Sequence, residues 1–192
     1  MATFFAPEAL RTSDFVVRWY QNGDGPAMAE SISSSVEHLK PWMGWAAESH
    51  TAEECEARAR KFRANCLLNT NFILGVWSLD DTRLLGGTGF HLRGVRDVWD
   101  GVGEIGMWIR GDEAGRGLGT ALLKAMLAWG FSEWPWERLS WHCDSRNMAS
   151  RRTAQKAGMK LEGTLRGDKA DVGEGRCDTM IFGLSRTDYQ AC

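Results

Sequence analysis

Apolar and polar positions along the chain form short patterns that predict seven strands and four helices. Alternating or continuous apolar residues predict strands at 15–19, 72–79, 83–90, 104–109, 138–143, 160–165 and 177–184. Helical spacing of apolar residues, with start and stop signals around it, predicts helices from about 26 to 39, 51 to 68, 118 to 131 and 147 to 157. This order of elements predicts a mixed α/β or α+β sheet with helices packed on it.

The second predicted helix carries a clear local start signal. Thr51 and Glu54 form the pattern of a capping box, in which the Thr51 side chain accepts from the third helical amide and Glu54 reaches back. Glu54 and Arg58, and likewise Glu56 and Arg60, stand four residues apart in the favourable order. We therefore expect a solvated outer face lined by these charge pairs.

Glycine residues mark the ends of two later segments. Gly158 follows the fourth predicted helix and is expected to be its left-handed C-cap. Residues 166–176 are polar and rich in glycine, which predicts an irregular connection between the last two strands.

Composition places the chain among globular proteins. Its 192 residues suffice for one ordinary domain with a core, so residues 1–192 are expected to form a single domain. Hydrophobic residues make up 43% and charged residues 25%, which excludes disordered and fibrous classes. No apolar run approaches the roughly 20 residues of a membrane helix, and the N-terminus does not resemble a signal peptide. These features predict a cytoplasmic protein.

Charge and cysteine content argue against two further classes of function. The formal net charge of −2 gives no electrostatic reason to expect nucleic acid or anionic lipid as the main partner. The five cysteines are odd in number and none forms a CxxC pair, so neither a disulfide framework nor a metal site is expected. The ten tryptophans indicate either core and subunit-interface packing or an aromatic-lined pocket.

The most informative segment is the glycine-rich stretch between the predicted strand at 104–109 and the following helix. Gly115, Gly117 and Gly119 alternate there, and glycine lets the backbone approach a bulky anion closely. The start of a helix adds unpaired amides and a partial positive charge, so together they form a pyrophosphate site. The alternative is a glycine turn without a ligand. A P-loop is excluded because no lysine follows Gly119, and the GxGxxG pattern at 101–106 lies in a strand, not between a strand and a helix.

This loop resembles the acetyl-CoA loop of the GCN5-related N-acetyltransferases (the GNAT superfamily), whose pattern is Gln/Arg-x-x-Gly-x-Gly/Ala. Gly117 and Gly119 match its two small positions, whereas Ala114 stands where the family has Gln or Arg. Further stretches resemble the Rim-type branch, which acetylates N-terminal amines of ribosomal proteins and, in related members, amino acids, antibiotics and other small amines. They are Asn147-x-x-Ser150, then Gly158-Met159-x-x-Glu162-Gly163 with Met159 in place of the usual Phe, the Trp-containing loop at 39–46, and residues 175–180.

The resemblance implies a GNAT fold, with a mixed, mostly antiparallel sheet that is splayed in the middle and flanked by about four helices. It implies acetyl-CoA as co-substrate, with the pantetheine arm along the strand backbone at 107–109 and the pyrophosphate on the amides of 115–120. A backbone N–H near Met107 or Trp108 is then the candidate oxyanion donor. The implied cofactor-binding residues are Met107, Trp108, Ile109, Gly115, Arg116, Gly117, Leu118, Gly119, Thr120 and Asn147.

Two residues are candidates for proton transfer. Glu104 is an ionisable group in an otherwise apolar strand, which makes it a candidate base acting through water, or else a strand-end carboxylate that pairs with an arginine or positions substrate. By resemblance to the Rim-type branch, Ser150 is the candidate acid for the CoA thiolate. It can equally be a helix N-terminal residue that satisfies the backbone. Asn147 can cap the same helix, bond the pantetheine amides, or do both.

The acceptor side is less defined. Trp42 and Trp45 are candidates for an aromatic wall beside the acceptor, with packing or dimer contact as the alternative. His91 is a further substrate-pocket candidate, although a lone histidine is more often structural.

The activity expected from these features is transfer of acetyl from acetyl-CoA to a primary amine by direct attack in a ternary complex. The amine belongs to a protein or peptide N-terminus or to a small molecule, and a homodimer is expected by analogy with related proteins. The alternative is a catalytically inactive acyl-CoA-binding sensor or scaffold, because Ala114 departs from the loop pattern. Nucleotide binding of Rossmann type is a third possibility, and we expect no binding of NAD.

Overall fold

The computed structural model of the chain describes residues 3–47, 50–171 and 175–191. Its centre is one eight-stranded sheet with the strand order β1-β2-β3-β4-β5-β6-β8-β7. The pairs are antiparallel except β5 with β6, which is parallel, so the predicted mixed and mostly antiparallel sheet is confirmed. The strands are β1 (Ala9–Arg11), β2 (Val16–Trp19), β3 (Phe72–Trp77), β4 (Leu84–His91), β5 (Val102–Ile109), β6 (Arg138–Asp144), β7 (Lys160–Ala170) and β8 (Arg176–Ser185).

Six α-helices lie in the described residues, of which the four longer ones correspond to the predicted four. They are α1 (Gly25–Ser33), α2 (Val36–Leu39), α3 (Ala52–Leu67), α4 (Leu118–Glu133), α5 (Met148–Lys156) and α6 (Arg186–Gln190). Short 3₁₀ turns occur at Gly44–Ala47, Val98–Asp100 and Gly111–Glu113. Two short elements were missed by prediction, the three-residue edge strand β1 and the five-residue helix α6, because neither is long enough to show a period.

Two hydrophobic cores cover the two faces of the sheet. The larger core contains the buried face of α4, and Trp129 packs there with Trp134 and Phe90, the Trp134 and Phe90 ring centroids being 4.8 Å apart. The smaller core joins α1 and α3 to the other face through Tyr20 and Trp77. Several of the tryptophans are therefore buried core residues.

The sheet is splayed between β5 and β6. The two strands pair only over residues 102–104 and 138–140, after which each continues while paired on its other side. The opening lies in the middle of the sheet, as the resemblance implied. It leaves the second half of β5 with one unpaired edge.

The capping box at the start of α3 is confirmed. The Glu54 amide donates to Thr51 Oγ1 at 3.1 Å, and the Thr51 amide donates to the Glu54 carboxylate at 2.8 Å. The expected pair of Glu56 with Arg60 is present at 2.8 Å. The expected pair of Glu54 with Arg58 was wrong, because Glu54 is held by the cap.

The helix predicted from 26 to 39 is broken, which corrects the prediction. α1 ends at Ser33 and α2 begins at Val36. The serines at the break bind the residues that follow β5, since Ser34 Oγ accepts from the Arg110 guanidinium at 3.0 Å and Ser35 Oγ accepts from the Gly111 amide at 3.0 Å. Serine hydroxyls that bind backbone and neighbouring groups compete with helix continuation.

The irregular connection predicted at 166–176 was wrong for the part that the structure describes, because β7 continues to Ala170. Gly167 has φ +57°, and shifts of register between β7 and β8 absorb it as an irregularity in the ladder. Its amide donates to the Asp178 carboxylate at 2.8 Å, which ties the strand to β8. Residues 172–174 of the predicted connection lie outside the described residues.

Candidate functional site

A cleft of about 560 Å³ occupies the splay between β5 and β6, and we call it the sheet cleft. Its walls are the second half of β5, the end of β6, the first turn of α4 and the exposed side of α5. Of the predicted cofactor and catalytic residues, the lining includes Glu104, Met107, Trp108, Ile109, Gly115, Gly117, Gly119, Thr120, Asn147 and Ser150. Residues far apart in the sequence are thus brought to one opening in the sheet.

The glycine loop at one end of the sheet cleft presents unpaired backbone amides. Gly115 and Gly117 have φ values of +76° and +93°, which favour glycine, and α4 begins at the next residue. The first amides that turn back into the helix are those of Thr120 and Ala121, which both donate to Gly117 O. Within the described ranges, the amides of residues 115–119 donate to no protein acceptor. Unpaired amides at a helix N-terminus bind phosphate groups well.

Side chains of this loop contribute less to the sheet cleft than its backbone. Leu118 packs against the larger core, and the Arg116 side chain is 70% exposed and lies 3.6 Å from the Glu113 carboxylate. Neither residue lines the cleft, so their contribution is limited to their amides. Ala114 does line it and offers no polar side-chain atom.

The register of β5 decides which of its amides face the sheet cleft. The Arg110 amide donates to Leu85 O on β4 at 3.0 Å, and successive residues of an antiparallel strand alternate in direction. The Trp108 amide therefore points to β4, whereas the amides of Met107 and Ile109 point to the splay. Pairing with β6 ends at Glu104, so these two amides have no strand partner. Of the two residues near which the oxyanion donor was predicted, only Met107 has its amide directed to the sheet cleft.

Asn147 and Ser150 lie at the N-terminus of α5, on the far wall of the sheet cleft. Asn147 is the N-cap, because its Oδ1 accepts from the Ser150 amide at 3.0 Å. Ser150 Oγ accepts from Trp141 Nε1 at 3.0 Å, and the same hydroxyl is a hydrogen-bond neighbour of the Cys143 side chain. Burial raises the pKa of the nearby Cys143 thiol, so that sulfur stays protonated at neutral pH.

Glu104 lies at the point where β5 and β6 separate. Its carboxylate is 3.4 Å from Arg93 Nε and 3.2 Å from His142 Nδ1, and the residue is only 8% exposed. Glu104 was predicted to be either a base or a strand-end carboxylate paired with an arginine. It pairs with an arginine and also lines the sheet cleft, so its position is compatible with both predictions. His142 and Arg93 come from other segments, and no sequence pattern links them to Glu104.

A second cavity, of about 680 Å³, lies on the face of the sheet that carries α1 and α3, and we call it the aromatic cavity. It meets the sheet cleft at shared lining residues: Met43, Arg93, Gly106, Met107 and Trp108. The two predicted tryptophans are divided between the two spaces. Trp42 lines the sheet cleft, whereas Trp45 lines the aromatic cavity with its ring centroid 5.9 Å from that of Trp108.

Glycines of the sheet make room for the rings that line the aromatic cavity. A Cβ at Gly87 would collide with the indole of Trp108, and a Cβ at Gly106 would lie 2.5 Å from His91 Nε2. Part of the glycine content of β4 is therefore explained by aromatic rings that pack directly on the strand backbone. The spacing of residues in the sequence does not predict this packing.

His91 is neutral at physiological pH. Burial, with a smaller contribution from Arg93, lowers its pKa from 6.5 to about 4. Its Nδ1 lies 3.0 Å from Asn71 Oδ1, so the proton sits on Nδ1 and Nε2 keeps its lone pair beside Gly106. His91 lines the aromatic cavity, not the sheet cleft.

Comparison with known protein families decides the class. The model of the acetyltransferase (GNAT) domain matches residues 14–160, which is most of the chain. The chain belongs to the GNAT acetyltransferase family. The predicted family and the predicted enzyme class, an acetyltransferase, are thereby confirmed.

Solved structures share the fold of this GNAT protein. The microcin C7 self-immunity acetyltransferase MccE, in complex with acetyl-CoA and AMP, matches with a TM-score of 0.80 at 18% identity over 94% of this chain and 98% of its own. The ribosomal L7/L12 alpha-N-protein acetyltransferase RimL, in complex with coenzyme A, matches with a TM-score of 0.82 and 15% identity, over 93% of this chain and 98% of its own. The ribosomal-protein-S5-alanine acetyltransferase from Vibrio fischeri matches with a TM-score of 0.80 and 17% identity, over 95% of this chain and 99% of its own. The resemblance to Rim-type proteins is therefore present at the level of the fold.

Two kinds of feature are absent from the part of the chain that the structure describes. No helix there is long and apolar enough to cross a membrane. No group of three or more His, Cys, Asp or Glu side chains is arranged to hold a metal ion among those residues.

Proposed function

We propose that this acetyltransferase transfers the acetyl group of acetyl-CoA to a primary amine of a peptide N-terminus or a small molecule, by direct attack in a ternary complex. The observation that carries the proposal is the meeting of two spaces at Met107. The sheet cleft suits an anionic, extended co-substrate, and the aromatic cavity opens onto the same strand from the other face. An amine in the aromatic cavity can thus reach a thioester in the sheet cleft.

Acetyl-CoA is proposed to bind along the unpaired edge of β5. The amides of residues 115–119 suit its pyrophosphate, and the Ile109 amide suits a carbonyl of the pantetheine arm. Arg152 and Lys156 line the same cleft four residues apart on α5, where they can meet a further phosphate. The Met107 amide is the proposed donor to the carbonyl oxygen of the thioester, where negative charge develops.

Proton transfer is assigned to the predicted pair. Glu104 takes a proton from the substrate ammonium through water, and the neutral amine attacks the thioester carbon. The resulting oxyanion collapses as the C–S bond breaks, and Ser150 donates its hydroxyl proton to the CoA thiolate. The positively charged nitrogen of the adduct loses its extra proton, which returns through water to the Ser150 oxygen, and Glu104 releases its own proton to solvent. Attack through an acetyl-cysteine is not proposed, because Cys143 is buried and its raised pKa keeps the thiol protonated.

The structural neighbours support an amine acceptor. Two of them are named as ribosomal-protein acetyltransferases, one an alpha-N-protein acetyltransferase. A third is bound to both acetyl-CoA and AMP, so the same fold also holds a nucleotide. Both a peptide terminus and a small molecule are therefore retained as acceptor classes.

The test is release of CoA from acetyl-CoA by the purified protein with a panel of amines and N-terminal peptides, with the acetylated product identified by mass. Glu104→Gln and Ser150→Ala should each lower kcat by about 10²- to 10⁴-fold, the usual contribution of acid–base catalysis. Glu133→Gln, at the exposed end of α4, is the matched control and should keep full activity. Intact mass after incubation with acetyl-CoA alone should reveal no acetylated protein.

Binding of acetyl-CoA without CoA release on any amine would contradict the proposal. It would favour the non-catalytic sensor, for which Ala114 in the loop is the specific observation.

A further inference from the structure

The aromatic cavity carries a one-sided charge. Its lining contains three cationic side chains, Arg58, Lys61 and Arg93, and no carboxylate among the described residues. Arg93 forms an ion pair with Glu104, whose carboxylate lies 3.4 Å from its Nε. The other two cations, Arg58 and Lys61, stand three residues apart on α3 and therefore lie on one face of that helix.

Arg58 contacts a histidine on the preceding segment of the chain. Its guanidinium lies 3.3 Å from His50 Nδ1, while His50 Nε2 lies 2.8 Å from Trp45 O. An arginine can only donate, so Nδ1 of this buried imidazole accepts and Nε2 carries the proton that bonds Trp45 O. Within residues 3–47, 50–171 and 175–191, no carboxylate oxygen lies within 4 Å of either the Arg58 guanidinium or the Lys61 ammonium.

The remaining walls of the cavity are mostly apolar, with Thr88 and His91 as the polar members. The large apolar side chains of the lining are Tyr20, Met28, Ile32, Trp45, Phe62 and Trp108. In such a cavity the apolar and aromatic walls bind the body of a small ligand by its shape, and the few polar groups bind its charged or polar part. A guanidinium and an ammonium that lie near no carboxylate of the described residues are suited to a carboxylate or a phosphate.

We propose that the amine acceptor carries an anionic group, a carboxylate or a phosphate, on an aromatic or branched apolar body, and that Arg58 and Lys61 bind that group. This inference rests on the proposed function, because it names the acceptor class of the same site. Polycationic amines are disfavoured for the same reason, since a second ammonium group would face two like charges.

The test compares pairs of amines that differ in one charge. L-phenylalanine and L-phenylalaninamide place the charge next to the amine, and O-phosphotyramine and tyramine place it at the far end of the ring. In each pair, kcat/KM is measured for the wild type, for the Arg58→Gln/Lys61→Gln double variant, and for Arg63→Gln. Arg63 is the matched control, because it lies on the same helix and lines neither space.

In at least one pair, the ratio of anionic to neutral kcat/KM should fall by about tenfold or more in the double variant, the effect of losing a charge-assisted hydrogen bond. Arg63→Gln should keep the wild-type ratio. Because the amines are the same for every protein, differences in their own basicity cancel in this comparison. Equal thermal midpoints and equal KM for acetyl-CoA would show that the double variant is folded and loaded.

Two results would overturn the inference. In the first, both pairs of amines are turned over and the double variant leaves the ratio of anionic to neutral kcat/KM unchanged; the proposed function then stands. In the second, no amine is turned over and the CoA-loaded protein also binds anionic and neutral acetylated amines equally well, which removes the inference and counts against the function. The binding assay uses N-acetyl-L-phenylalanine with its amide and N-acetyl-O-phosphotyramine with N-acetyltyramine. A charge preference that depends on Arg58 and Lys61, without turnover, supports the anion site while the proposed catalysis fails.

Discussion

Acidification should destabilise the protein through His91, a group buried in its neutral form. The folded state lowers the pKa of His91 from 6.5 to about 4, because burial disfavours the imidazolium and Arg93 repels it. Between these values the unfolded chain binds more protons than the folded one, so stability falls as the pH falls. The contribution is fully present above the unfolded value. Between pH 8 and pH 5 its loss amounts to about 2 kcal/mol, and the full loss below pH 4 to about 3 kcal/mol.

The assay is urea unfolding followed by tryptophan fluorescence at pH 8 and pH 5. His91→Gln removes the titrating ring, so the variant should lose about 2 kcal/mol less stability over this interval than the wild type. Other groups that titrate cancel in the difference. His38→Gln, which removes an exposed imidazole, is the control for losing a histidine. Equal pH dependence of the wild type and His91→Gln would refute the description of His91 as a buried neutral side chain.

Three further predictions concern parts that hold the site in place. Thr51→Ala removes the acceptor for the Glu54 amide and should lower the free energy of unfolding by about 1 kcal/mol, whereas Thr51→Ser should restore most of it in the same urea assay. Gly117→Ala meets no neighbour within 4 Å but must adopt a φ of +93°, so it should cost about 1 to 2 kcal/mol and reduce the thermal shift caused by acetyl-CoA; an unchanged shift would argue against the loop as the anion site. Arg110→Met removes a buried guanidinium that lies 2.7 Å from the Glu30 carboxylate. The free energy of unfolding should fall by about 2 kcal/mol, less than for a fully buried pair, because the Glu30 side chain is 58% exposed. Calorimetry should show a smaller loss for the partner variant Glu30→Gln than for Arg110→Met.

Long elements with local signals were predictable from the sequence. α4 was predicted to run from 118 to 131 and runs to Glu133, and the capping box placed the start of α3 at the correct residue. Both depend on contacts within one turn of helix, which a linear pattern reports. The glycine pattern at 115–119 likewise identified the end of the sheet cleft, because positive φ and free amides are local properties of that segment.

Features made by distant segments were not predictable. The break between α1 and α2 depends on Arg110 and Gly111, which follow β5 and bind the two serines. The extension of β7 depends on its ladder with β8. The surroundings of Glu104 follow the same rule, since Arg93 and His142 reach it only through the sheet register.

Some expectations stay predictions. The cytoplasmic location, the homodimer, the lack of a nucleic-acid partner and the single domain over residues 1–192 belong to this group. So do the assigned roles of the site residues.

The central claim is that the unpaired edge of β5 binds acetyl-CoA, and residue-resolved amide hydrogen exchange by NMR tests it most directly. The amides of Gly106 and Trp108 pair with β4 and should be protected with and without ligand. Those of Met107 and Ile109 point into the splay and should exchange rapidly in the free protein. Addition of acetyl-CoA should slow exchange at Met107 and Ile109 and across the amides of 115–119, while NAD should not. Unchanged exchange at Met107 and Ile109 under saturating acetyl-CoA would contradict the claim.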